Sequence, residues 1–193
     1  MPPRLILASA SPRRRDLLHQ LGLPFEIRPP SVDEDPLPGE APRHYVERLA
    51  RLKAEGVAWG ESEALVLGAD TAVILEGEIL GKPTDAARAR LMLQRLAARR
   101  HTVLTAIALA GAARSGRVVE TVIEFRRTSL EEIEWYVQTG EPLDKAGSYA
   151  LQGIGSFLIA AIHGSVSSVI GLPLCETVDL LEQCGFPLPW RKT

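Results

Sequence analysis

Apolar positions along the chain switch between short unbroken runs and helical stripes, and that alternation sets the expected order of elements. Residues 4–8 (RLILA) read as a short buried strand. Ser11 then offers an N-cap and Pro12 a first helical position, with Leu17, Leu18 and Leu21 as the apolar face and Gly22 as the stop. A second strand is predicted at 25–28. Residues 29–42 carry five prolines together with Asp33, Glu34 and Asp35, and read as loop. From Arg43 to Ala58 the helical period is strong, its stripe running through Val46, Leu49, Ala50, Ala54 and Val57. Residues 65–75 (LVLGADTAVIL) form an apolar strand interrupted by an acid. Glu76-Gly77 turns it into a hairpin strand at 78–80, which Gly81-Lys82-Pro83 closes.

Further on, Thr84 or Asp85 caps a helix running to about Ala98. Strands follow at 102–112 and 117–127, joined by a turn at Arg114-Ser115-Gly116. Ser129-x-x-Glu132 is a capping-box signature for a helix at 129–139. A glycine-containing loop at 140–153 leads to strands near 155–162 and 166–170 and a last helix at 173–184. Elements alternate in part and pair as hairpins in part, so the expected architecture is a mixed β-sheet flanked by helices. Without repeats or a linker-like stretch, residues 1–193 read as a single domain.

Composition narrows the partners. A chain of 193 residues can build one substantial domain with room for two lobes around a cleft. Its 22 basic against 24 acidic side chains and 5% aromatic content disfavour general binding to nucleic acid, so any positive site must be local. No apolar run approaches the roughly 20 residues that span a bilayer. The segment Met1 to Ala8 is too short for a secretory leader before the polar, basic stretch Ser9 to Asp16, which gives a cytoplasmic expectation. Cys175 and Cys184 fall nine apart on one predicted helix, on opposite sides, where they cannot pair.

Chemistry shows where local rules are broken. Arg13, Arg14 and Arg15 stand in the first turn of a helix, against its dipole. With the hydroxyls of Ser9 and Ser11 and the free N–H groups of the turn they suit a phosphate chain; three solvated arginines beside Asp16 is the other reading. Asp70, followed by Thr71, puts a carboxylate into an apolar strand, where it needs either a cationic partner or a metal such as Mg²⁺. Lys53 occupies the apolar stripe of its helix, and a snorkelling stem is the plain alternative. Glu34 in the acidic loop is a candidate second metal ligand, and Lys82 in a rigid turn presents a point charge. His19, His44, His101 and His163 lack metal-ligand spacing, and no P-loop, HExxH or nucleophile-elbow pattern occurs. Two acids, two lysines and an arginine cluster on separate elements are equipment for phosphoryl chemistry.

These residues also carry a resemblance. LILASASPRRRDLL, Val32-Asp33-Glu34, Arg51-Leu52-Lys53-Ala54, Gly68-Ala69-Asp70-Thr71 and Gly81-Lys82-Pro83 follow the order and approximate spacing of the Maf family of nucleotide pyrophosphatases. Gly140-Glu141-Pro142-Leu143-Asp144-Lys145-Ala146-Gly147, Gln152-Gly153, Gly164-Ser165 and Val169-Ile170-Gly171-Leu172-Pro173 continue it. Only the Pro-Trp-Arg-Lys tail lacks a counterpart. The resemblance implies an elongated α/β fold related to the inosine triphosphatase architecture, with a cleft between lobes. It implies Mg²⁺- or Mn²⁺-dependent hydrolysis of a nucleoside triphosphate to the monophosphate and diphosphate, and a homodimer. By position, Asp70 is then the proton acceptor, and Arg13, Thr71 and Gln152 bear on substrate choice. Ser9, Arg14, Glu34, Lys53 and Lys82 complete the phosphate and metal site. The segment Asp144 to Gly153 looks like the branch acting on dTTP and UTP, whereas the 7-methyl-GTP branch usually has serine-glutamate-glycine near Gln152-Gly153. A neutral amide both donates and accepts, which matches the imide edge of uracil or thymine. The rival expectation is a non-catalytic nucleotide- or nucleic-acid-binding regulator of septum formation; a phosphatase releasing orthophosphate is a third.

Overall fold

The computed structural model describes residues 3–191; Met1 and Pro2 of the segment weighed as a leader, and Lys192 of the unmatched tail, lie outside the described residues. Seven strands form one mixed sheet in the order β2-β1-β3-β5-β6-β7, with β4 paired to β3. The strands are β1 (Arg4–Ala8), β2 (Glu26–Ile27), β3 (Ala64–Leu75), β4 (Glu78–Leu80), β5 (Arg100–Gly111), β6 (Ser115–Phe125) and β7 (Ile159–His163). The helices are α1 (Pro12–His19), α2 (Pro42–Ala58), α3 (Ala86–Leu96), α4 (Leu130–Gln138), α5 (Val166–Ile170) and α6 (Leu174–Gln183). No helix among the described residues is long and apolar enough to cross a membrane.

The chain gathers into two compact units. The first comprises the residues up to Asp70, Thr105–Val119 and those from Gly171 on; the second comprises Thr71–Leu104 and Glu120–Ile170. In the first, β1 runs parallel between β2 and β3, with Leu5 opposite Leu65 and Leu7 opposite Leu67. Leu5 through Ala8 are all buried, as a parallel strand covered on both faces requires. Helix α2 lies over this sheet. Its buried residues, Val46, Leu49, Ala50, Lys53 and Ala54, are the predicted stripe with the lysine included, and Val57 at its end is partly buried. The approach is close because Gly68 has no side chain: a Cβ there would sit 2.3 Å from the Ala50 carbonyl oxygen and 2.6 Å from the Ala54 nitrogen.

The second unit has its own core, built on Val73, Leu80, Leu93, Leu96, Phe125, Ile133, Tyr136 and Tyr149. Helix α4 starts with the full capping box: Ser129 accepts from the Glu132 N–H, and Glu132 accepts in return from Ser129. Inside the core His101 is 4% exposed, stacked edge-on to Phe125 and Tyr149, with Nε2 2.8 Å from the Tyr149 hydroxyl.

Three expectations are corrected. Residues 166–170 form the short helix α5 instead of a strand, because Ser165 acts as its cap: its hydroxyl accepts from the Ser168 N–H and its carbonyl from Val169. That local bond outweighs the strand preference of Val166, Val169 and Ile170. Residues 154–158 wind into a 3₁₀ turn before β7, and two more 3₁₀ turns occupy Glu141–Asp144 and Ala146–Ser148 within the predicted loop. Ser115 and Gly116 belong to β6, so the turn between β5 and β6 falls earlier. Cys175 and Cys184 are free thiols.

Two outcomes follow from this packing. Gly68→Ala should lower the unfolding free energy by about 1–3 kcal/mol in urea titration, because helix backbone must move to admit a methyl group; a wild-type midpoint would show that α2 does not rest on β3 as described. Burial pushes the His101 pKa from 6.5 down to about 4. The unfolded chain therefore binds one more proton between those values. This contribution to stability is complete above pH 6.5 and is lost as pH falls toward 4, on the order of 3 kcal/mol in all. His101→Phe should remove that segment of the stability–pH curve, and an unchanged slope would count against it.

Candidate active site

The first unit holds six of the candidate residues: Ser9, Arg13, Arg14, Glu34, Lys53 and Asp70. Ser9, directly after β1, is buried and its hydroxyl accepts from the Ser11 N–H at 3.1 Å. Ser11 caps α1, with Pro12 in its first turn as the sequence predicts. Arg14 leans back from that turn: its Nε donates to the Gly171 carbonyl at 2.8 Å. Arg13 is partly exposed beside it.

Lys53 is the hub. Its ammonium lies 2.7 Å from Asp70 Oδ1 and 2.9 Å from Glu34 Oε1. The Lys53 and Asp70 side chains are 6% and 8% exposed, whereas that of Glu34 is 59% exposed. The geometry follows from the contact at Gly68. Lys53 sits between Ala50 and Ala54 in the helix turn that presses on Gly68, and Asp70 lies two residues further along β3, on the same face of the strand as Gly68. The buried ammonium thus meets a buried carboxylate directly, and such pairing is the condition for keeping either charge inside an apolar core.

Burial pushes the Asp70 carboxyl above the usual carboxylate range, and the charges of Lys53 and Arg14 oppose the shift. Burial likewise lowers the proton affinity of the Arg14 guanidinium, with Asp70 and Glu34 pulling the other way. Asp70 is thus a carboxylate of enhanced basicity flanked by two cations. That combination can accept a proton from an attacking nucleophile while the cations hold an anionic substrate.

The acidic loop is held from α2. The Tyr45 hydroxyl donates to the Glu34 carbonyl at 3.1 Å, and Arg48 donates to the Asp35 carbonyl at 3.1 Å. Arg48 also grips Glu40 with both sides of its fork, at 2.6 and 2.7 Å, and this pushes the Glu40 carboxyl down to about 2. Burial, helped by the charges of Asp70 and Glu34, drives the Tyr45 phenol up to about 12, so it stays a donor. Neither residue stands out in the sequence. Tyr45 and Arg48 are three apart on the helix and read there as ordinary surface; only their nearness to a proline-rich acidic loop hints at a brace.

Glu34 and Asp70 offer hard oxygen donors, one on a rigid strand and one exposed on a loop. Among the described residues no group of three His, Cys, Asp or Glu side chains gathers into a protein cage for a metal ion. One or two carboxylates with other positions open to water and phosphate oxygens is the donor set that suits Mg²⁺ or Mn²⁺.

Thr71, Lys82 and Gln152 belong to the second unit. Thr71 continues β3 and is partly buried, Lys82 is exposed after β4, and Gln152 is exposed just before the 3₁₀ turn at 154–158.

The Maf-like protein family model matches residues 4–184. Among curated relatives, the dTTP/UTP pyrophosphatase of Anaeromyxobacter dehalogenans (strain 2CP-1) is 56% identical over 197 residues, covering all of both chains. That of Myxococcus xanthus is 56% identical, covering 97% of this chain and 95% of the relative. That of Symbiobacterium thermophilum is 50% identical, covering 96% of each. Among solved structures, the Staphylococcus aureus Ham1 protein has a similar fold, with a TM-score of 0.50 and 18% identity over 81% of this chain and 79% of that one. With one family model covering residues 4–184 and relatives at least half identical from end to end, the chain belongs to the Maf-like protein family.

Proposed function

We propose that the protein hydrolyses dTTP and UTP between the α and β phosphates, giving the nucleoside monophosphate and pyrophosphate. The observation that carries the reading is the buried Lys53–Asp70 pair with Glu34 and Arg14 around it. The printed names of relatives at 50–56% identity support the substrate class. In this reading Asp70 takes the proton from the water that attacks the α-phosphorus, and the bond from that phosphorus to the bridging oxygen breaks. Lys53 keeps Asp70 ionised and oriented, while Ser9, Arg13, Arg14 and Lys82 bind phosphate oxygens. Glu34 and Asp70 would hold a divalent cation, which supplies neutralisation of the triphosphate charge when bound. Thr71 and Gln152 bear on the choice of base. Three of the four unit boundaries fall inside β3, β5 and β6, which supports treating the chain as one catalytic domain.

The test is product analysis after incubation with dTTP, UTP or 7-methyl-GTP and Mg²⁺. Pyrophosphate with the two pyrimidine nucleotides is expected. Orthophosphate alone, or binding without turnover, would overturn the proposal. Asp70→Asn should lower kcat by about 10²–10⁴ while the protein still folds, and near-normal turnover would remove Asp70 from the role of base. Chelation with EDTA should stop the reaction. Glu34→Gln should raise the Mg²⁺ concentration needed for half-maximal rate several-fold with an unchanged Tm; an unchanged Mg²⁺ requirement would exclude Glu34 as a ligand.

A further inference from the structure

Gln152 is exposed, yet the backbone on both sides of it is pinned by two side chains outside the site described above. The carboxylate of Glu141 accepts from the Ile154 N–H through Oε2 and from the Gly155 N–H through Oε1, both at 2.8 Å. Tyr136, fully buried at the end of α4, donates its hydroxyl to the same Oε1 at 2.8 Å. Its oxygen also meets the backbone of Ala150, two residues before Gln152. The segment from Ala150 to Gly155 is therefore fastened before and after the residue it carries.

The fit leaves no slack. Gly153 has φ +150°, a conformation open to glycine, and a Cβ there would lie 2.5 Å from Glu141 Oε2. A Cβ at Gly155 would lie 2.3 Å from the Tyr136 hydroxyl. Two glycines thus let the backbone wrap directly around the phenol–carboxylate pair. Glu141 is anchored in turn. It opens the 3₁₀ turn Glu141–Asp144 immediately after Gly140, and its N–H donates to the Thr139 hydroxyl at the C-terminus of α4. A carboxylate suits this place because it can accept from two backbone N–H groups and a phenol at once, and bonds to a charged acceptor are the stronger kind.

We propose that Tyr136 and Glu141 are positioning residues that set the pyrimidine preference by fixing the peptide planes around Gln152 and hence the orientation of its amide. The inference rests on the reading of Gln152 as a base-selecting residue. A loop merely held folded would affect every nucleotide alike. A loop that aims one amide should affect the binding term for the matching base, and only while that amide is present.

The experiment uses the full chain with dTTP and 7-methyl-GTP in the presence of Mg²⁺, following steady-state kinetics and thermal unfolding of Glu141→Gln, Tyr136→Phe, Gln152→Ala and the double variant Glu141→Gln/Gln152→Ala. Glu141→Gln keeps one oxygen acceptor but turns an amino group toward a backbone N–H. It should raise KM for dTTP about tenfold with little change in kcat, and lower the dTTP to 7-methyl-GTP ratio of kcat/KM by a similar factor. Tyr136→Phe, which removes one oxygen and keeps the ring in the core, should move both quantities the same way by less. In the Gln152→Ala background Glu141→Gln should add nothing to the change in ratio. The proposal is overturned if Glu141→Gln and Tyr136→Phe shift only Tm, or reduce kcat/KM equally for both nucleotides. It is also overturned if the effect of Glu141→Gln on the ratio persists without Gln152. A Gln152→Ala protein with the wild-type ratio would sink the base-selecting role of Gln152 itself and the clamp with it, while pyrophosphate release from dTTP by the wild-type protein reports on the hydrolase reading separately.

Discussion

The closeness of α2 to β3 at Gly68 is the constraint on which the rest of the site depends. One missing methyl group lets a helix backbone rest on a strand backbone. The lysine in that same helix turn then reaches a carboxylate in the middle of an apolar strand at 2.7 Å. Neither partner is tolerable there alone. An unpaired charge at this depth costs several kcal/mol, so the helix, the strand and the ion pair are selected together.

Around this pair the other side chains of the site differ in how they are held. Asp70 rides on β3, between its parallel pairing with β1 and its antiparallel pairing with β4, and Arg14 is tied by its Nε to the Gly171 carbonyl just before α6. Glu34 comes from a proline-rich loop whose backbone is held by Tyr45 and Arg48 while its carboxylate stays exposed. The arrangement combines a buried carboxylate, whose proton affinity is raised by its surroundings, with an accessible oxygen donor. A reaction on a polyphosphate needs both, since the proton acceptor works best away from bulk water and the cation must arrive with its substrate.

Much of this was legible in the sequence because the functional residues break local rules. Arginines against a helix dipole, an acid in an apolar run and a lysine on an apolar stripe each conflict with the element that carries them, and the structure resolves two of those conflicts into one contact. What was not legible depends on partners far along the chain. Gly68 could as well have marked a bulge, because the helix it touches is fourteen or more residues away. Glu141 looked like the start of a loop; its partners lie thirteen and fourteen residues later and are backbone groups without a side-chain signature. The sequence of α5 points to a strand because three of its five residues are β-branched, and a single serine cap decides for the helix.

The unequal exposure of the two carboxylates on Lys53 has a consequence for how the site can exchange partners. If Glu34 turns to a cation, as the proposed function requires, the ammonium can keep its contact with Asp70, so the exchange need not orphan a buried charge. A single-partner lysine would have to break its only contact first. Under that proposal the second carboxylate is a detachable counterion, which would let the site change its occupants without unsettling the core that carries it.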